Sequence, residues 1–171
     1  PGHSSGVRCV RYSPNGQRLA SGDLDGWVQL WSSYPLDSKT HLFNPELEPL
    51  QGHTNWVRDI AFSPDGSTLV SSSDDGTLRL WNAQDGHCTN ILGDHTGALM
   101  AIAISADGHL LISASQDRTV RLWQMPRGQS LKTLSGYTTY GKHSLSFSPV
   151  PLTASQQQND STSPGTESAT M

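Results

Sequence analysis

The sequence predicts an all-β chain made of repeated four-stranded antiparallel units, and three observations carry that expectation. Three stretches, His3 to Trp31, His53 to Trp81 and His95 to Trp123, align without a gap over 29 positions. The second and third are identical at 15 of the 29 and the first and second at 12, a self-similarity that decides the whole architecture. Within each stretch short apolar runs alternate with turn signals, and no segment of useful length carries the 3.6-residue period of a helix.

The elements follow in order. Apolar runs such as Ile60-Ala61-Phe62 and Ala101-Ile102-Ala103-Ile104 end in Ser-Pro-Asn-Gly, Ser-Pro-Asp-Gly or Ser-Ala-Asp-Gly. These tetrapeptides supply residues that tolerate positive φ, so the first strand turns into a second. A second polar turn follows, Leu24-Asp25-Gly26, Asp74-Asp75-Gly76 or Gln116-Asp117-Arg118. It leads into alternating runs ending at Trp31, Trp81 and Trp123, the third strand. Cys88 to Leu92 and Gln129 to Leu134 fit a fourth strand before the next unit begins.

The Gly-His pairs Gly2-His3 and Gly52-His53, an Asp in the second turn and a closing Trp make the chain resemble the WD-repeat family from residue 2 to about 148. The resemblance implies that each unit is one blade of a β-propeller with four antiparallel strands. It also implies a buried tetrad in each blade: His3, Ser21, Asp25 and Trp31; His53, Ser71, Asp75 and Trp81; His95, Ser113, Asp117 and Trp123. The serine is taken ten residues before the Trp because the first unit has Asp23 at the nearer position. Indole and imidazole N–H donate, hydroxyl does both and carboxylate accepts, so four such groups satisfy one another away from water. Departures from the family pattern are visible too. Ser32, Asn82 and Gln124 stand where the naming Asp would follow the Trp, and Asp94-His95 replaces Gly-His.

The expected organisation is a partial propeller over 1–148, with units at about 2–50, 51–92 and 93–135 and the start of a fourth at 136–148. A Ser/Thr/Gln-rich tail over 149–171 is expected to be disordered, having too few apolar groups to offset the entropy of ordering. Three blades do not close a ring that typically needs four to eight, so the chain is expected to be a fragment of a larger repeat protein that packs against further blades of the same polypeptide. The first unit carries eight extra residues within 32–50; with Pro35, Pro45, Pro49 and Leu42-Phe43 this stretch reads as a loop between the third and fourth strands.

Composition narrows function mainly by exclusion. With 11 Lys plus Arg against 15 Asp plus Glu and a formal net charge of −4, the chain offers no basic field for nucleic acid or anionic lipid. No apolar run approaches the length of a membrane span. Cys9 and Cys88 suggest neither a disulfide framework nor a zinc site, which fits a reducing compartment, cytoplasmic or, in a eukaryote, nuclear. Seven histidines show no shared ligand spacing, so no metal and no cofactor are expected. Gly2-His3-Ser4-Ser5-Gly6 matches a nucleophile elbow as a string, and Gly136 to His143 is one residue short of a phosphate-binding loop. Neither has the strand-to-helix context its chemistry requires. A Ser, His and Asp recurring in every unit beside a Trp is scaffolding rather than a triad.

The expected function is therefore a protein-interaction scaffold and not an enzyme. Its partners are other proteins or peptides, bound on the face bearing the tetrad loops. Candidate contact residues there are Arg8, Leu24, Trp56, Arg58, Asp74, Met100 and Gln116. Trp56 leads because Gly6 and Ala98 occupy its position in the other units and Trp is enriched at binding hot spots. Trp27, where the other units have Thr77 and Thr119, reads as a cap on the first blade. The connector Gly128 to Gly136 looks like those of arrays attached to signalling ATPases and kinases. A free-standing adaptor or ubiquitin-ligase substrate receptor is the alternative, and a propeller enzyme a third class.

Overall fold

The computed structural model describes residues 2–33, 44–45, 47–136 and 145–147. Among them twelve strands form three four-stranded antiparallel sheets. The first holds β1 (Val7–Tyr12), β2 (Arg18–Asp23), β3 (Val28–Ser32) and β4 (Asn44–Pro45). The second holds β5 (Val57–Phe62), β6 (Thr68–Ser73), β7 (Leu78–Asn82) and β8 (Cys88–Leu92). The third holds β9 (Leu99–Ile104), β10 (Leu110–Ser115), β11 (Thr119–Gln124) and β12 (Gln129–Ser135). Strand order in each sheet follows the sequence, a meander of the kind a propeller blade requires.

The hairpins are made by the turns the sequence announces. Gly16, Gly66 and Gly108 take positive φ near 70° and donate their N–H to the carbonyls of Ser13, Ser63 and Ser105 at 2.8–2.9 Å. In the first strand of each sheet one residue is extra to the pairing. Register steps from Val7 to Cys9, from Val57 to Asp59 and from Leu99 to Ala101, leaving Arg8, Arg58 and Met100 as bulges. Bulges re-aim side chains and steepen twist, and these three sit next to the loops that carry the histidines.

The core lies between sheets, one layer per junction. Cys9, Ala20, Val28 and Leu30 of the first sheet meet Val57, Ile60, Leu69 and Trp81 of the second. Val70, Leu78, Leu80 and Leu92 of the second meet Leu99, Ile102, Leu111 and Trp123 of the third. Close approach at the first junction requires glycine: a Cβ on Gly22 would stand 2.5 Å from Val57 Cγ1. The Cys9 thiol is enclosed there, and burial pushes its pKa up to about 12, which makes it a poor nucleophile. Neither Cys9 nor Cys88 is in a disulfide.

The two outer faces of the arc have no blade against them among the described residues. Val7 and Val10 are 51% and 43% exposed, whereas Val57 and Ile60 at the same register are buried to 0% and 1%. On the far face of the third sheet Ile112, Val120 and Leu122 are half-buried and Leu134 is exposed.

The 32–50 stretch is not wholly loop. Asn44–Pro45 pairs with Trp31 and Ser32, and Leu50 bridges Val28, so a short fourth strand lies within it. Leu42-Phe43, the phosphate-loop-like segment past Gly136 and the 149–171 tail lie outside the described residues.

Candidate interaction face

In the second and third sheets the residues named from sequence form continuous hydrogen-bonded chains. Trp81 Nε1–H donates to Ser71 Oγ at 2.9 Å, Ser71 Oγ lies 2.8 Å from His53 Nε2, and His53 Nδ1 lies 2.9 Å from Asp75 Oδ2. Trp123, Ser113, His95 and Asp117 repeat this at 2.9, 2.8 and 2.8 Å. A fifth group, missed in sequence, completes each: the Thr77 and Thr119 hydroxyls donate to Asp75 and Asp117 at 2.6 Å. The sense of donation is fixed by the carboxylate, which can only accept: Nδ1–H must face it, so Nε2 of the neutral imidazole accepts from the serine hydroxyl, whose oxygen accepts the indole N–H.

The electrostatics agree with a neutral imidazole and an ionised carboxylate. Burial depresses the His95 pKa and outweighs the upward pull of Asp117. Burial also works against the Asp117 and Asp75 charges, but hydrogen bonds more than compensate. Thr119 and His95 hold Asp117 at about 2, and His53 and Thr77 hold Asp75 well below the ordinary carboxylate range.

The first sheet departs from this arrangement, and the assignment of Asp25 is corrected. Trp31 Nε1–H reaches Ser21 at 2.7 Å and Ser21 lies 2.6 Å from His3 Nε2, but the carboxylate on His3 Nδ1 is Asp23, at 2.7 Å. Asp25 is exposed. The reason is local. Asp23 occupies the place of Ser73 and Ser115, whose hydroxyls cap the turn by accepting the N–H of Asp75 and Asp117 at 3.1 Å. Its longer acidic side chain does both jobs: Oδ1 accepts the N–H of Asp25 and Trp27 while Oδ2 meets the histidine. Trp27, in place of Thr77 or Thr119, has no hydroxyl with which to hold an acid at position 25. Both departures are visible in the aligned sequence.

The loops bearing the histidines and the second-turn acids share one end of the blades, and the bulged residues project beside them. Arg58 donates from Nε and an Nη to the two carboxylate oxygens of Asp74 at 2.6 Å, a bidentate clamp. Its guanidinium lies 5.0 Å from the Trp56 ring centre. Trp56 remains 40% exposed. At the equivalent place in the third sheet Gln116 Nε2 lies 3.6 Å from Met100 Sδ. In the first sheet Leu24 packs where a Cβ on Gly6 would stand, and Arg8 is exposed. The second and third sheets thus bring together the positions 16 residues apart that the sequence singled out, with different chemistry in each, while in the first Leu24 meets Gly6 instead.

Asp59 was not singled out. Its Oδ1 accepts from Arg11 of the first sheet at 2.9 Å and its Oδ2 from the Ile102 N–H of the third at 3.2 Å, so one side chain joins three blades. Cys9 and Ala101 stand at its position elsewhere.

No group of three or more His, Cys, Asp or Glu suited to a metal occurs among the described residues. A cavity of about 450 Å³ opens between the second and third blades at the end opposite the histidine loops, lined by Ser67, Thr68, Asn82, Thr89, Asn90, Pro126 and Arg127. Its lining holds no acid, base and nucleophile in one place.

Comparison with known proteins places this geometry. The WD domain, G-beta repeat family matches residues 1–32, 44–82 and 86–124, more than half of the chain. Over 50 residues the chain is 38% identical to Actin-interacting protein 1 of Drosophila melanogaster, a match covering 29% of this chain and 8% of that protein. The structure of U3-55K superposes with a TM-score of 0.68 at 25% identity, over 80% of this chain and 41% of the other. The crystal structure of RRP9 WD40 repeats gives 0.69 at 25% identity, over 80% and 40%. The matched part of the chain therefore covers about two fifths or less of each of these proteins.

Proposed function

The chain belongs to the WD domain, G-beta repeat family, and on that premise we propose that it is a protein-interaction module without catalytic activity, binding protein or peptide partners on the face that carries the histidine loops. One observation carries this reading: the Trp56 indole, 40% exposed, is backed by an Arg58 that is itself clamped by Asp74. An exposed aromatic whose support is already paid for before binding loses little side-chain entropy on contact, the property of a hot spot. The equivalent Gly6 and Ala98 show that blade packing does not demand an aromatic there.

The outer faces bearing Val7 and Val10 on one side and Leu134 on the other are assigned to further blades of the same polypeptide. They repeat the register positions that are buried at the two internal junctions. The connector from Gly128 to Gly136 favours, as the wider context, an array attached to a signalling ATPase or kinase over a free-standing adaptor.

The test is quantitative capture of binding partners by wild type and Trp56→Ala. Loss of about tenfold or more in recovered partner on truncation is expected of a hot spot. Equal recovery of every partner would contradict the assignment.

A further inference from the structure

We propose that this face, taken as the binding face argued above, recognises a basic segment of its partner, one Lys or Arg seating between the Asp25 carboxylate and the Trp56 indole. The first observation is the displacement of Asp25. Because Asp23 has taken over the contact with His3, the Asp25 carboxylate is exposed and accepts no hydrogen bond or ion pair among the described residues. The second is its location. The turn that carries it abuts the loop before Trp56, since a Cβ on Gly26 would stand 2.6 Å from the His53 carbonyl oxygen and 3.0 Å from that of Asn55. Asp25 and Trp56 are each one residue from that contact, on neighbouring blades.

The charges nearby decide the sign of the ligand. Arg58 offers an anion little net attraction, because its Nε and one Nη are already paired with both oxygens of Asp74, which compensates its charge. Of the other cations on the face, Arg118 stands on the second turn of the third blade, away from the junction of the first and second that holds Asp25 and Trp56, and Arg8 has Gly6 and Leu24 where Arg58 has Trp56 and Asp74. Fixing it against an acidic group would cost the rotamer freedom of a long, unsupported side chain. What remains is an unpaired carboxylate on the turn that abuts the loop before an indole 40% exposed and covered on one side by Arg58, and a cation meeting both gains ion pairing and cation–π attraction to the exposed indole surface. The net charge of −4 steers the same class of partner.

The experiment uses two synthetic nine-residue peptides of glycine and serine, one carrying three arginines and the other three glutamates, titrated calorimetrically at physiological salt. The basic peptide is expected to bind more tightly, with Asp25→Asn and Trp56→Ala each weakening it about fivefold and Asp25→Glu retaining it. Glu48→Gln makes the same charge change at an exposed site outside the Asp25 turn and the Trp56 loop and is expected to have under about a twofold effect. If Asp25→Asn and Glu48→Gln act alike, attraction is non-specific and the proposal is wrong. Tighter binding of the glutamate peptide, still lost in Trp56→Ala, would overturn the basic assignment and leave the face standing. Indifference of both peptides to Trp56→Ala would remove the face as well.

Discussion

The carboxylate that meets His3 belongs to Asp23, 2.7 Å from Nδ1, and not to Asp25 two residues later. Asp23 also accepts two backbone N–H groups and is 1% exposed. Its replacement by alanine leaves buried donors unpaired and is expected to cost about 2–3 kcal/mol, whereas Asp25→Ala is expected to stay within about 0.5 kcal/mol. Urea denaturation of the two variants separates these outcomes, and a larger loss for Asp25→Ala would contradict the assignment.

Most of the fold was legible because three gapless copies let each turn and strand be read three times. The first acid was not. Alignment assigns a residue by register, but a hydrogen bond is decided by side-chain reach, and Asp23 reaches the imidazole from a place where serine cannot. The Asp59 link across three blades escaped for a related reason: its partners, Arg11 and the Ile102 N–H, lie 48 and 43 residues away and no periodicity connects them. Arg58 and Asp74 were each named as face residues, yet their pairing depends on a bulge that sequence does not announce.

Acid should weaken the protein in two stages. Asp75 and Asp117 have folded-state pKa values below the ordinary 3.8, so the stability they contribute is complete above that value and is lost as pH falls through their depressed folded values. His95 is depressed below its ordinary 6.5, and its contribution too is present above that value and lost on acidification through the lower folded one. Denaturation midpoints measured from pH 7.5 down to 3 should therefore drift below about pH 6.5 and drop steeply below about pH 4. In Asp117→Asn the steep part should shrink.

Asp59 works in the opposite direction. Burial raises its pKa above 3.8, so the protonated form is favoured by folding; that stability is full below 3.8 and is lost as pH rises through the folded value. Asp59→Asn keeps an acceptor without the buried charge and should remove this rise-with-acid component. Asp59→Ala abandons the Ile60 and Ile102 N–H groups and should cost about 1–3 kcal/mol at neutral pH. Equal stability of the two variants would show that the interblade hydrogen bonds contribute nothing.

Arg118 adopts φ 67° at the turn position where Gly26 and Gly76 take 86° and 82°. A side chain with a Cβ is strained there, so Arg118→Gly is expected to stabilise the third blade by about 0.5–1 kcal/mol. Thermal denaturation reads this directly, and a lower melting temperature would show that the arginine makes a compensating contact.

The most direct test of the interaction-face account is site-specific photo-crosslinking of a bound partner. A benzoylphenylalanine placed at Gln116, exposed beside Met100 at the histidine-loop end, should capture the partner, and Trp56→Ala in the same chain should abolish the product. The same group at Gln84, exposed on the turn at the opposite end, should capture nothing. Crosslinking from Gln84 and silence at Gln116 would place binding on the other face and contradict the account.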